Sequence, residues 1–98
     1  MSLYELCNSS VALDAYRRGK VIHTRFVSRV CDYSQPEQLT EGQSPVVEIY
    51  AIDRGMHFVL DEGQTLQYDS DSGEASFISN GMLYRIRPLT DPESSRFS

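Results

Sequence analysis

The sequence predicts an α+β fold in which an N-terminal helix packs on an antiparallel β-meander, or on a small partly closed barrel, of five to six short strands. With 98 residues, 40% of them hydrophobic, the chain can build one modest core. A segment over about 10 to 18 has the pattern of a capped helix. Behind it, glycines recur at hairpin spacing, each after polar turn-forming residues: Gly55, Gly63, Gly73 and Gly81.

The chain is expected to form a single domain. Doubly wound nucleotide-binding folds and (β/α)₈ barrels need far more residues, and no change in composition marks a second unit. Residues 1–89 are assigned to one α+β domain. The polar segment after Pro88 predicts a flexible C-terminal tail over 90–98.

The first predicted element is the helix over about 10 to 18. The side chains of 8–10 (Asn-Ser-Ser) offer N-caps, and Gly19 stands where a C′ glycine would end the helix. Arg17 and Arg18 fall in its last turn, where cations are favoured. Upstream, 2–5 (Ser-Leu-Tyr-Glu) has the form of a capping box, so residues 2–7 either extend this helix or form a turn of their own.

Residues 20–31 fit either a helical stripe or an alternating strand, and the strand is preferred. Val, Ile, Thr and Phe dominate this stretch, and β-branched side chains pack well on a pleated surface. The polar stretch 32–45 contains Pro36, Gly42 and Pro45 and predicts a long loop.

The meander is predicted to contain five strands, over 46–52, 56–60, 65–68, 75–79 and 82–87. Asn80-Gly81 suits a type I′ turn, because both residues tolerate positive φ angles. Met56, Phe58 and Leu60 alternate with His57 and Val59, which predicts one apolar face that the N-terminal helix would cover. The strand aromatics are interpreted as core and cross-strand partners rather than base-stacking platforms: Tyr50, Phe58, Tyr68, Phe77 and Tyr84.

The N-terminal residues and the apolar runs favour a cytoplasmic protein. The chain starts with no Lys or Arg before Arg17, and strictly apolar runs reach only three residues. A membrane helix needs about 20 such residues. We therefore expect no membrane association.

No residue pattern predicts catalysis, a metal or another cofactor. Cys7 and Cys31 are expected to be reduced thiols, with one disulfide as the alternative, and they lack zinc-ligand spacing with His23 and His57. Cys31 could meet either histidine in space, yet no nucleophile signature accompanies it. The acidic run 69–74 departs from the order of ligands in a calcium loop, and phosphate-binding glycine motifs are lacking. We expect a non-enzyme.

The charges divide the chain into a basic part and an acidic part. The net charge is −5, from 9 Lys+Arg against 14 Asp+Glu. Five of the nine cations fall within 17–29 and define the basic patch: Arg17, Arg18, Lys20, Arg25 and Arg29. If 20–31 is a strand, His23 joins Arg25 and Arg29 on one face. This patch either meets phosphates or an acidic partner, or pairs with the protein's own carboxylates.

The acidic side chains lie mainly on the predicted turns. They define the acidic face: Asp53, Asp61, Glu62, Asp69, Asp71 and Glu74. Such a face would steer the protein towards a basic partner. Its structural alternative is a solvated surface that discourages sheet-to-sheet pairing.

The sequence therefore predicts a small acidic, non-catalytic protein-binding module. Such a protein would act as an inhibitor, immunity-type or adaptor factor that docks on a larger basic protein, which itself could handle nucleic acid. The first alternative is a nucleic-acid-binding small barrel that uses the basic patch; its expected layout resembles Sm-like modules, without their sequence motifs. The net charge of −5 makes nucleic acid the less favoured ligand. The second alternative is a homo-oligomeric structural or accessory protein that self-associates through edge strands.

Overall fold

The computed structural model describes residues 3–30, 42–44, 48–51 and 55–97. These residues contain two short helices and eight strands, more than the five to six strands that the sequence predicted. In chain order they are α1 (Leu3–Cys7), β1 (Val11–Arg17), β2 (Lys20–Val27), β3 (Gly42–Ser44), β4 (Glu48–Ala51), β5 (Met56–Val59), β6 (Leu66–Asp69), β7 (Glu74–Ser79), β8 (Met82–Pro88) and α2 (Asp91–Phe97). Among the described residues, no helix has the length and apolarity that crossing a membrane requires.

The strands form one six-stranded antiparallel sheet and a separate hairpin. The order in the large sheet is β2-β1-β8-β7-β6-β3, and β4 pairs with β5 alone. Strands β6, β7 and β8 follow one another as neighbours, which confirms a β-meander and the α+β class. The first two of the five strands predicted for the meander instead form the separate β4–β5 hairpin. Within the described residues β2 and β3 stand at opposite ends of the sheet. The sheet is therefore open, and the barrel alternative is wrong.

The helix predicted over 10 to 18 is also wrong, because these residues form β1. This strand lies between β2 and β8, and residues 11–15 are all buried. A strand covered on both faces shows no alternation of apolar and polar residues, so its sequence resembles a helix segment. The upstream residues form α1, a short helix of their own.

Two hairpin turns have the same backbone conformation. Arg18 and Gly19 have φ angles of 53° and 76° between the paired residues Arg17 and Lys20. Both central residues have positive φ, which is the conformation of a type I′ turn. Gly19 thus closes a hairpin rather than ending a helix. The predicted turn at 80–81 is confirmed, with φ angles of 54° and 77°.

The strand predicted over 20–31 is confirmed in β2, which ends at Val27. Its register against β1 changes between two pairs, Ala15 with His23 and Tyr16 with Val21. Ile22 is left between them, so β2 carries a β-bulge near the turn. Where the sequence predicted a loop over 32–45, residues 42–44 pair with β6 as β3. The remainder of that range, and Cys31, lie outside the described residues.

One face of the large sheet carries the core. The β4–β5 hairpin packs against it, and the Phe58 ring centroid lies 4.7 Å from that of Tyr84 and 5.5 Å from that of Phe77. Leu6 and Cys7 of α1 belong to the same buried cluster. The predicted alternation over 56–60 is confirmed, since His57 and Val59 are exposed. The predicted cover was wrong: a β-hairpin lies over the face assigned to the helix 10–18.

The opposite face of the sheet carries the charged side chains of Asp14 and Arg87 and meets α2. Where the sequence predicted a flexible tail over 90–98, residues Asp91–Phe97 are helical. The Thr90 backbone N–H donates to Glu93 Oε1 at 2.9 Å, and the Glu93 N–H donates to Thr90 Oγ1 at 3.4 Å. This reciprocal pair is a capping box. The Thr-Asp-Pro-Glu sequence at 90–93 was the signal that could have predicted α2.

Candidate functional site

Most of the basic patch lies on the β1–β2 hairpin at one edge of the large sheet. Cross-strand partners share a face of a sheet, and alternate residues of a strand share one too. The pairs of β1 with β2 therefore place four side chains on one face, here called the basic row: Arg17, Lys20, His23 and Arg25. Arg18 occupies the turn, and Arg29 lies beyond the end of β2.

The cations of this hairpin are exposed. Arg17, Arg18, Lys20 and Arg25 all lie at the surface, and none of them forms an ion pair with a described carboxylate. The two arginines of β8, at 85 and 87, are instead bound to carboxylates of this chain. Pairing with the protein's own described acids thus does not account for the basic row.

The acidic face is divided between the two ends of β6. Asp61 and Glu62 precede this strand, whereas Asp69, Asp71 and Glu74 lie at the turn that follows it. Asp53 lies outside the described residues. The structure thus does not gather the described members of the acidic face into one row.

Asp61 holds the turn between β7 and β8. Its Oδ1 accepts a hydrogen bond from the Asn80 N–H at 2.6 Å, and its Oδ2 accepts one from the Gly81 N–H at 2.8 Å. The Asp61 N–H donates to the Ile78 carbonyl at 3.0 Å. This carboxylate therefore has a structural role that its sequence position did not reveal.

Two further members of the acidic face have partners within the chain. Asp69 Oδ1 accepts hydrogen bonds from the N–H groups of Asp71, at 2.9 Å, and Ser72, at 3.4 Å. Glu74 Oε1 lies 3.4 Å from Arg85 Nε. Hydrogen bonds from backbone N–H groups to an acidic side chain, like those that Asp69 accepts, are typical of turns. Across the described residues, no cluster of three or more His, Cys, Asp or Glu is arranged to hold a metal ion.

A groove of about 640 Å³ lies between β2 and β5, here called the edge groove. The described residues that line it are Thr24, Arg25 and Phe26 of β2 with Met56, His57 and Phe58 of β5. The described part of each wall consists of three consecutive residues. Because successive side chains point to opposite faces of a strand, such a wall follows the edge of the strand rather than one face. The groove therefore separates two strand edges.

The edge groove combines a cationic group, an imidazole and apolar side chains. Arg25 contributes a guanidinium that is always charged. On the other wall His57 stacks on Tyr50, with ring centroids 4.4 Å apart and ring planes 3° apart. Phe26, Met56 and Phe58 supply the apolar surface.

A buried polar cluster on the other face of the sheet was not predicted. Asp14, with 4% of its side chain exposed, accepts a hydrogen bond from Arg87 Nε at 2.7 Å and one from Thr24 Oγ1 at 2.5 Å. Arg87 also forms a bidentate pair with Glu93, at 2.8 and 2.9 Å. Little in the sequence indicated this cluster. Asp14 is a single carboxylate within an apolar run, and Arg87 lies on a strand with both apolar and charged residues.

The charges of this cluster reinforce one another. Hydrogen bonds to Glu93 and then to Asp14 hold the pKa of the Arg87 guanidinium above its usual range. The hydrogen bond from Arg87, followed by that from the Thr90 backbone, lowers the pKa of Glu93 to about 2. The cluster joins β1, β8 and α2, and its polar groups are satisfied by one another. It is consequently a structural feature rather than a binding site.

The candidate docking surface is thus the basic row together with the edge groove, which share Arg25 on β2. Both lie at the end of the large sheet that the β4–β5 hairpin approaches. No protein-family model matches this chain, and no curated protein or solved structure matches it either.

Proposed function

We propose that this chain is a non-catalytic protein-binding module of the inhibitor, immunity or adaptor type, and that it docks through the basic row on an acidic surface of a larger protein. The observation that carries the proposal is the set of exposed hairpin cations without a described carboxylate partner. The whole chain has five more acids than bases. In such a protein, cations concentrated on one edge are suited to an external anion.

The acidic face is the weaker docking surface of the two. It is divided between the ends of β6, and three of its carboxylates already bind groups of this chain: Asp61, Asp69 and Glu74. Binding a basic partner through them would compete with the turns that they stabilise. The prediction of a basic partner therefore depends chiefly on Glu62 and Asp71.

Peptides of opposite charge test the proposal directly. The probe is a fluorescein-labelled ten-residue peptide that alternates Glu and Val, and its counterpart alternates Lys and Val. We expect the Glu-Val peptide to bind, and its affinity to fall with added salt because ions screen exposed charges. Fluorescence anisotropy measures both peptides. Equal binding of the two peptides, or none by the Glu-Val peptide at low salt, would contradict the proposal.

The double variant Arg17→Glu, Lys20→Glu locates the surface. These residues are cross-strand partners, so the variant replaces one like-charge pair by another. Reversing two surface charges is worth on the order of 1–2 kcal/mol, so we expect a roughly tenfold weaker Kd for the Glu-Val peptide. The exchanged variant Arg17→Lys, Lys20→Arg keeps the charge and should bind like the original protein. An unchanged Kd for the reversed variant would remove the basic row from the proposal.

The Lys-Val peptide tests the acidic face in the same assay. The variant for this test is Glu62→Lys with Asp71→Lys, because both side chains are exposed. Substituting Asp61 or Asp69 would also remove hydrogen bonds that hold turns. Binding of only the Lys-Val peptide, lost in this variant, would establish the acidic face as the docking surface.

Nucleic acid is the competing ligand for the basic row, since phosphates would meet the same cations. The overall charge opposes it, because affinity for nucleic acid depends strongly on net electrostatics. A ten-residue oligothymidylate competes with the Glu-Val peptide in a titration across salt concentrations. Tighter, salt-sensitive binding of the oligonucleotide would replace the protein-binding proposal by the nucleic-acid one.

A further inference from the structure

We infer that the partner docks an acidic amphipathic helix on the sheet face that meets α2, at the end nearest the two type I′ turns. Four apolar and aromatic side chains form a row across the strands there, here called the apolar row: Val21, Tyr16, Leu83 and Ile78. This inference rests on the proposed function, because it names a second element through which the acidic partner would hold the basic hairpin.

The strand registers place these four residues side by side. Tyr16 of β1 pairs with Val21 of β2 on one side and with Leu83 of β8 on the other. Leu83 in turn pairs with Ile78 of β7. Cross-strand partners share a face of a sheet. Because Tyr16 lies two positions after Asp14 on β1, that face is the one that meets α2.

The side chains of the apolar row reach the surface. None of the four is buried, and Val21 is 48% exposed. The bulge residue Ile22, which follows Val21, is 45% exposed. Single exposed apolar residues are common on proteins, but adjoining ones mark interaction sites. The apolar row together with Ile22 is therefore a candidate docking surface.

The backbone beneath most of the apolar row is already paired. β1, β8 and β7 each have a neighbouring strand on both sides, so their N–H and C=O groups are used within the sheet. A ligand that crosses these strands can bind through side chains only. An extended segment would leave its own main-chain groups unpaired against this surface. A helix satisfies its backbone internally and presents side chains alone.

The dimensions of the apolar row also fit a helix. Neighbouring strands lie about 4.8 Å apart, so a row over four strands is about 14 Å long. About ten residues of helix cover this length. The row is one residue wide, because the adjacent row on the same strands is polar and contains Thr24, Asp14, Arg85 and Ser76. An amphipathic helix presents such a narrow apolar stripe, with anchors at i, i+3 or i+4, and i+7.

Arginines stand on both sides of the apolar row. Arg18 occupies the β1–β2 turn and is exposed. On the other side, the guanidinium of Arg85 lies 5.0 Å from the Tyr16 ring centroid. Arg85 pairs with Glu74 at 3.4 Å, but an exposed ion pair is weak and can exchange partners. Carboxylates on the two flanks of the helix would therefore meet cations.

The apolar row and the basic row lie on opposite faces of one hairpin. Arg17 pairs with Lys20 next to the pair of Tyr16 with Val21, and successive pairs alternate between the faces of a sheet. A partner that binds both rows would enclose the hairpin between its acidic surface and the helix. Loss of the helix contact would then weaken the complex without removing the contact with the basic row.

Other occupants match the apolar row less well. Three of its four side chains are partly buried, so the row exposes far less than the roughly 800 Å² that each partner buries in a stable protein complex. A second copy of this chain would also bring the same cations together. An anionic membrane would meet those cations, but a row one residue wide offers it little apolar area. Both occupants are outcomes that the experiments below detect.

Two peptides of identical composition test the inference without altering the protein. Both are fluorescein-labelled, have eighteen residues and contain only Leu, Ala and Glu. The helical peptide carries Leu at every third or fourth position, and the rearranged peptide carries Leu at alternate positions. Their charges are equal, so attraction by charge alone would bind them equally. We expect fluorescence anisotropy to show at least about tenfold tighter binding of the helical peptide, which is about 1.4 kcal/mol.

The outcomes separate this inference from the proposed function. Equal affinities, or tighter binding of the rearranged peptide, would overturn the helix but leave docking on the basic row intact. Failure of both peptides, with the Glu-Val peptide still bound, would also overturn the inference alone. Failure of all three peptides would overturn both proposals.

Val21→Thr and Val59→Thr are matched variants. Each replaces an exposed strand valine, 48% and 54% exposed, by a residue of similar shape and β-propensity. Only Val21 belongs to the apolar row. We expect Val21→Thr to bind the helical peptide about fourfold more weakly, which is the roughly 0.8 kcal/mol of one buried methyl group. Val59→Thr should leave the affinity unchanged, and equal effects of the two variants would overturn the inference.

Methyl NMR spectra locate the bound helical peptide. We expect shifted resonances for Val21, Leu83 and Ile78 and unchanged ones for Val59. Shifts confined to the β4–β5 hairpin would overturn the inference. So would cosedimentation of the protein with phosphatidylserine vesicles, or dimers seen by light scattering, if Val21→Thr abolished either of them.

Discussion

Arg85 and Arg87 of β8 lie two positions apart on the same face of the sheet, and their side chains differ in how far they are buried. Arg87 contacts Asp14, and their side chains are 22% and 4% exposed, whereas the side chains of Arg85 and Glu74 are 39% and 32% exposed. Arg85 also lies over the Tyr16 ring, 5.0 Å from its centroid. Exposed ion pairs contribute little to stability, but a buried charge that loses its partner is costly.

We predict that replacing Arg87 and replacing Arg85 by Met lower the free energy of unfolding by different amounts. Arg87→Met leaves the buried Asp14 carboxylate without its cation and should lower the free energy of unfolding by about 3 kcal/mol. Arg85→Met, the matched control, should lower it by no more than about 1 kcal/mol. Urea denaturation at pH 7 measures both variants. Equal losses would show that the Arg87 cluster is not a buried ion pair in solution.

Glu93 makes part of the stability depend on pH. Its pKa is lowered from 4.5 to about 2 in the folded protein, chiefly by the hydrogen bond from Arg87. A carboxylate with a lowered pKa stabilises the fold above its unfolded pKa, and this contribution is lost as the pH falls towards the folded pKa. We predict that the original protein exceeds Glu93→Gln in stability at pH 7.

This difference should shrink between about pH 5 and pH 2, where the unfolded and then the folded carboxyl group become protonated. Urea denaturation of both proteins across that range gives the comparison. A difference that stays constant across that range would contradict the role of the Glu93 charge.

At the scale of elements, two type I′ turns close hairpins with different residues. The β7–β8 turn uses Asn80-Gly81, while the β1–β2 turn uses Arg18-Gly19. Asn tolerates the left-handed conformation better than a long side chain, because its short polar group bonds locally. Arg18 therefore holds its φ of 53° at some cost in stability.

We predict that Arg18→Asn stabilises the protein by up to about 1 kcal/mol, because it relieves this conformational cost. Arg17→Asn, one residue earlier in β1, removes the same charge from an exposed strand position and should not stabilise the protein. Thermal denaturation of the two variants provides the measurement. Stabilisation by both would attribute the gain to charge instead of turn conformation.

In the whole molecule, the β2 edge of the large sheet carries charged side chains. Among the described strands β2 ends the large sheet, and it carries Lys20 and Arg25, both exposed. Charged residues on an edge strand discourage pairing with other sheets. The same cations thus have two roles in our proposal: they repel a second basic edge, and they attract an acidic surface of the partner.

We therefore predict that the protein is monomeric and that Lys20→Thr with Arg25→Thr promotes self-association, since the edge then loses its repelling charges. Arg17→Thr with Arg18→Thr removes the same charge from β1 and its turn and should leave the protein monomeric. Light scattering across protein concentrations distinguishes the two variants. Dimers of the original protein would instead support the homo-oligomeric alternative.

The local pattern was sufficient to predict the strands of the β6–β8 meander and of the β4–β5 hairpin, but not their division between two sheets. The glycine spacing and the alternation over 56–60 identified strands, because hairpin turns and half-buried strands depend on adjacent residues. Local pattern was insufficient for 10–18, where burial of β1 on both faces removed the alternation. The Thr-x-x-Glu capping box at 90–93 was a local signal for α2. The polar composition of 90–98 instead led to the prediction of a flexible tail.

Residues that are close along the chain were enough to predict the α+β class, the turn at 80–81 and the clustering of cations over 17–29. Which charged side chains pair within the protein depends instead on long-range packing. Asp61 binds the Asn80 N–H, Asp14 binds Arg87, and Glu93 of α2 binds Arg87 as well. These pairings depend on how the strands and α2 pack. The edge groove is likewise a product of packing, because it forms where β2 and β5, distant in sequence, approach each other.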